Sequence, residues 1–150
     1  MAVPRNESGL PRVIEHRMIF KRRTKPINLE HLDQIDELAA TGKPVFLDFW
    51  QNGCQSCRTM DGVVGELADE YQDSAHVVKV NVRNVPAAAQ RFRVMSTPTF
   101  VVYGASTKKQ SKKSKRQGGA IGERWRATGL VKKDQLEKAL ERNGASRPTR

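Results

Sequence analysis

The stretch from Lys43 to Met60 constrains this chain more than any other. Val45-Phe46-Leu47-Asp48-Phe49-Trp50 is almost wholly apolar, and Asn52-Gly53 is a turn signal. Cys54-Gln55-Ser56-Cys57 follows at the mouth of a helical pattern that puts Cys57, Met60, Val64, Leu67, Ala68 and Tyr71 on one face. An apolar strand of this kind is covered on both sides, so it belongs to a sheet with helices packed against it. Cys54 and Cys57 are the only cysteines in the sequence. Two thiols separated by two residues, where a strand hands over to a helix, form a redox device.

The rest of the chain supplies further strands and helices around that unit. Residues 1–15 lack periodicity and carry two prolines, so a disordered tail is expected there. Met18-Ile19-Phe20 is the best candidate for a first strand, ended by Pro26. Asn28 reads as a helix N-cap, with Glu30 in the first turn and Leu29, Leu32, Ile35, Leu38 and Ala39 at helical spacing. Strands are expected at Val77–Val82, Thr99–Tyr103 and Glu123–Thr128, and helices at Pro86–Phe92 and Lys132–Arg142. The order β-α-β-α-β-α-β-β-α makes this an α/β protein with a central mixed sheet and helices on both faces. A single domain is expected over residues 16–144, with a loose polar tail at 145–150.

Charge is distributed unevenly. The net charge is +11, yet residues 27–103 hold ten acidic and only six basic side chains. Residues 104–122 hold six Lys/Arg and no acid, and the segment before residue 27 is also basic. The excess therefore sits in attachments to a near-neutral domain. The segment Lys108–Arg116 lacks any aromatic residue to stack on a base, and its charge suits an anionic partner (nucleic acid, an anionic membrane or an acidic protein), which would make the chain a binding or adaptor module; the other reading is a solvated loop with no partner. No apolar run approaches the roughly 20 residues of a membrane helix. The N-terminal stretch lacks the apolar core of a secretory signal, so a cytoplasmic protein is expected. In that compartment a CxxC is catalytic or metal-binding rather than a structural staple.

The unpaired N–H groups at a helix start stabilise a thiolate, which is the nucleophile in disulfide exchange. Cys54 at the tip should attack, and Cys57, one turn along and more buried, should resolve the mixed disulfide. A zinc site needs two more ligands, and His16, His31 and His76 do not stand at metal spacing with the cysteines or one another. Asp48 is an acid in an apolar strand, costly to bury unless used or paired. It can serve as the proton acceptor for Cys57, point to a solvated edge, or pair with Lys79.

Asp48-Phe49-Trp50, Cys54-x-x-Cys57, Lys79, Thr97-Pro98-Thr99 and Gly129 together resemble the thioredoxin family, over about Asn28 to Asn143. The resemblance implies the thioredoxin fold and thiol-disulfide oxidoreductase activity. It implies Cys54 as nucleophile, Cys57 as resolving cysteine, Asp48 as the buried acid and Lys79 as its near neighbour. Trp50, Thr97, Pro98 and Gly129 match positions bordering the substrate, with Pro98 matching a cis-proline that faces the cysteines. It also implies disulfide-bearing protein substrates, electrons from a thioredoxin reductase or other dithiol donor, no metal or organic cofactor, and a monomer. This sequence departs from the family pattern in three places. Gln55-Ser56 stands between the cysteines for the usual Gly-Pro, Gly53 for a tryptophan, and Gly62 for a helix-kinking proline. About 30 mV is a factor of ten for a dithiol couple, so such changes are large enough to retune the site.

Overall fold

The computed structural model describes residues 22–107 and 120–148. The tail at 1–15, the candidate strand Met18–Phe20 and the basic segment Lys108–Arg116 lie outside the described residues.

Five strands and four helices alternate along the described chain. They are β1 (Ile27–Asn28), α1 (Asp33–Ala39), β2 (Val45–Trp50), α2 (Gln55–Glu70), β3 (His76–Asn81), α3 (Pro86–Arg91), β4 (Thr99–Ala105), β5 (Ile121–Thr128) and α4 (Lys133–Arg142). The sheet order is β1-β3-β2-β4-β5. β1, β3 and β2 run parallel, while β4 pairs antiparallel with both β2 and β5. The apolar run read from the sequence is thus the middle strand, buried along almost its whole length.

Alternation along β2 sends successive side chains to opposite faces. Val45, Leu47 and Phe49 join Val78, Val80, Val101 and Tyr103 in a core closed by α1 and α3. Phe46 joins Val77, Phe100 and Val102 in a second core, closed by Met60, Val64 and Leu67 of α2 and by Leu136 and Leu140 of α4. Phe46 and Phe100 stack with centroids 5.8 Å apart. By the same alternation, Asp48 and Trp50 share the face of Phe46, beneath α2.

Two local expectations at the N-terminal side are corrected. Asn28 is not a helix cap; it lies in β1 and pairs with Lys79 of β3. Strand pairing overrides the capping preference, and the Leu29 N–H continues the ladder by donating to the Lys79 carbonyl at 2.9 Å. Helix α1 starts later, and no side chain of its N-cap Leu32 caps it. Instead the Gln34 side-chain oxygen accepts from the Glu30 and His31 N–H groups, at 2.7 and 2.9 Å. Leu29 is buried, so its apolar signal came from the sheet side of the core rather than from the helix.

The start of the expected loose tail is also packed. Ala145 is buried, Ser74 Oγ donates to the Ser146 carbonyl at 2.7 Å, and Arg147 pairs with Glu137 at 2.9 Å. No helix among the described residues is long and apolar enough to cross a membrane.

Candidate active site

The C-terminal end of β2 runs into a turn in which Gly53 adopts φ +78°, a conformation that suits glycine. The turn delivers Cys54 to the N-cap of α2. Cys54 and Cys57 are joined as a disulfide, with Cα atoms 5.3 Å apart. The Cys57 N–H donates to Cys54 Sγ at 3.2 Å. In the dithiol form the same N–H and the helix dipole favour a Cys54 thiolate. Cys54 is partly exposed, whereas Cys57 is buried against the sheet.

Across from the cysteines, the chain between α3 and β4 approaches the site through Ser96, Thr97 and Pro98. The Thr97–Pro98 peptide bond is cis. The Thr97 carbonyl oxygen lies 3.5 Å from Cys54 Sγ. Gly129, at φ +78°, donates its N–H to the Pro98 carbonyl at 2.9 Å, which brings the end of β5 to the same rim. Gln51 completes the arrangement: its Nε2 donates to Thr97 Oγ1 at 3.1 Å. Gln51 was not legible in the sequence, because its partner lies 46 residues away. A groove of about 290 Å³ runs beside Gln51, Pro86, Val94 and Thr97. At its edge Met95 is 93% exposed.

Beneath α2, Asp48 is only 2% exposed. Burial pushes its carboxyl up from 3.8; the Lys79 charge pulls it back and the Asp61 charge adds to the rise, leaving it at about 7. Lys79 and Asp48 are register partners on adjacent strands. Yet Lys79 Nζ is bonded to Asp61 Oδ1, at 2.6 Å, rather than held by Asp48. The same ammonium lies 4.9 Å from the centre of the Trp50 ring. Trp50 borders the site with a buried Nε1 that has no hydrogen-bond partner among the described residues. Asp61 was missed by sequence reading, since an acid on the outer side of an amphipathic helix looks like an ordinary solvated charge.

The structure therefore gathers Asp48, Trp50, Cys54, Cys57, Lys79, Thr97, Pro98 and Gly129 at one end of the sheet. Among the described residues no three His, Cys, Asp or Glu side chains cluster to hold a metal ion.

Comparison with known proteins agrees with this architecture. The sequence profile of the family described as Thioredoxin matches residues 26–127. The chain belongs to the thioredoxin family. Members of that family are protein-disulfide oxidoreductases, and this chain carries a CxxC pair, Cys54 and Cys57. Thioredoxin 1 of Chlorobaculum tepidum is 32% identical over 107 residues, covering 71% of this chain and 91% of that protein. The thioredoxin of Pyropia yezoensis is 38% identical over 69 residues, covering 46% of this chain and 64% of that protein. The chain thus aligns with less than two thirds of that relative's length. A solved mutant thioredoxin from Halobacterium salinarum superposes with a TM-score of 0.64 at 22% identity, covering 85% of this chain and 99% of the other. At that identity the likeness carries the fold alone.

Proposed function

We propose that this protein exchanges its dithiol for disulfides in protein substrates through Cys54 and Cys57. The observation that carries the reading is the pair itself: a partly exposed cysteine at a helix N-terminus whose sulfur lies beside the Thr97 carbonyl, with its partner buried on the inner side of that helix. The Cys54 thiolate attacks one substrate sulfur, and the other leaves as a thiolate. Cys57 then transfers its proton to the Asp48 carboxylate and attacks Cys54 Sγ. The second substrate thiol departs, and the Cys54–Cys57 disulfide remains. The substrate gains two electrons and the protein loses two.

Trp50, Thr97, Pro98 and Gly129 serve as the rim against which the substrate chain lies. The Thr97 backbone can pair with an extended peptide in the manner of an added strand. Lys79 is the near neighbour of Asp48 on the adjacent strand. Electrons return from a thioredoxin reductase or another dithiol donor, with the protein acting as a cytoplasmic monomer that needs no metal or organic cofactor.

The basic segment Lys108–Arg116 is assigned an anionic partner. Its flanks, Thr107 and Ala120, adjoin Ala105 and Ile121, at the end of the sheet where β2 begins; Cys54 follows the end where β2 finishes.

The decisive test is trapping. Cys57→Ser is incubated with insulin, and a dithiothreitol-cleavable adduct on Cys54 is expected, while the unaltered protein reduces insulin outright. No adduct together with no insulin reduction overturns the reading.

A further inference from the structure

Register alone would make Asp48 and Lys79 a buried ion pair, since they sit side by side on β2 and β3 beneath α2. The side chains are arranged otherwise. The Lys79 ammonium is drawn to the rim, bonded to Asp61 at 2.6 Å and lying over the Trp50 ring. Asp61 stands one helical turn beyond Cys57 and its side chain is 50% exposed, whereas Asp48 is 2% exposed. Asp61 belongs to none of the motifs that mark the redox site.

We propose that Asp61 is a positioning residue for the proton step: by holding the Lys79 ammonium outward, it leaves the Asp48 carboxyl available to take the proton of Cys57. This rests on the redox reading above. Lys79 from β3 and the uncharged Phe100 from β4 are the register partners of Asp48, and the charges that act on it are those of Lys79 and of Asp61 from α2, the helix on whose buried side Cys57 stands. Asp61 acts on Asp48 twice in the same direction. Its own negative charge disfavours a second carboxylate nearby, and its bond to Lys79 keeps a positive charge from closing on Asp48. Without the Asp61 carboxylate the ammonium loses its anionic partner, while Asp48 stands beside it as its register partner on β2. A direct Asp48–Lys79 pair would hold Asp48 ionised and reluctant to accept a proton. In the working arrangement the proton balance closes: Cys57 S–H gives its proton to Asp48, Cys57 sulfur bonds to Cys54 sulfur, and the substrate thiolate leaves. Asp48 then returns the proton to water or to that thiolate.

The test uses the oxidised protein, in which neither cysteine titrates, with the Asp48 carboxyl followed by carbon NMR against pH. Asp61→Asn should lower the Asp48 midpoint by about one pH unit, the lower end of what an opposite charge closing to within ~4–6 Å produces. Asp61→Glu, which retains the carboxylate charge, should restore most of it. In a Lys79→Met background the effect of Asp61→Asn should shrink. The acid limb of mixed-disulfide resolution, measured in single turnover, should move in step with the NMR midpoint. Equal midpoints for Asp61→Asn and the unaltered protein overturn the proposal. So does an Asp61→Asn shift of undiminished size without Lys79. Insulin reduction by the unaltered protein is assayed alongside; if that is absent at every pH, it is the redox reading that has failed.

Discussion

The buried acid makes a quantitative claim about stability. An isolated Asp48 carboxyl titrates at 3.8, but in the folded protein it is held at about 7, chiefly because burial disfavours its charged form. At ~1.4 kcal/mol per pH unit, that separation corresponds to about 4 kcal/mol. The native state keeps the Asp48 proton through a range where the unfolded chain has already lost it. Stability from this group is therefore complete below pH 3.8, declines as pH rises through the window between the two values, and is fully lost above about 7. Asp48→Asn removes the titration while preserving shape. Any constant difference caused by burying the amide is the same at every pH and cancels when two pH values are compared. From pH 5 to pH 8.5, the unaltered protein should lose about 3 kcal/mol relative to the variant. Urea unfolding of both oxidised proteins reads this directly. With a slope near ~2 kcal/mol/M, the midpoint of the unaltered protein should fall by about 1.5 M relative to that of the variant. A separation that stays constant across that range refutes the assignment of Asp48 as a carboxyl strained by burial.

Two further outcomes are expected. Gln51→Ala removes the hydrogen bond to Thr97 Oγ1, worth about 1 kcal/mol, so kcat/KM for insulin reduction should fall by about fivefold with the fold intact; an unchanged value shows that Gln51 does not help set the substrate-facing loop. Replacing Lys108, Lys109, Lys112, Lys113, Lys115 and Arg116 with serine should lower the salt concentration at which the protein leaves a heparin column and leave insulin reduction unchanged; an unchanged elution position removes the anionic partner from that segment.

Much of this fold could be read from local pattern. The alternation of apolar strands with helical periodicities gave the order of elements, and the Val45–Trp50 run identified the middle strand because only a doubly covered strand tolerates such composition. The redox pair was equally visible, since the strand, the turn and the helix start adjoin in sequence. Asp48 stood out because acids are rare in such runs. Local pattern misled at Asn28, where a residue that favours helix caps is claimed by pairing with Lys79, 51 positions on. It misled again at Ala145, whose burial depends on the face that α2 and α4 leave open.

Sequence by itself determined which residues carry the chemistry, because thiols and a buried carboxyl are recognisable wherever they stand. Tertiary structure decided how those groups are tuned. Lys79 could have neutralised Asp48; it is instead bonded to Asp61, a residue 18 positions away on a different element. Gln51 was an unremarked polar residue until β2 and the Thr97 loop were brought together. The physical reason is one of range. Periodicity and capping act over a few residues, whereas the balance of burial and charge at Asp48 depends on distances between groups from three elements, and only the folded sheet sets those distances.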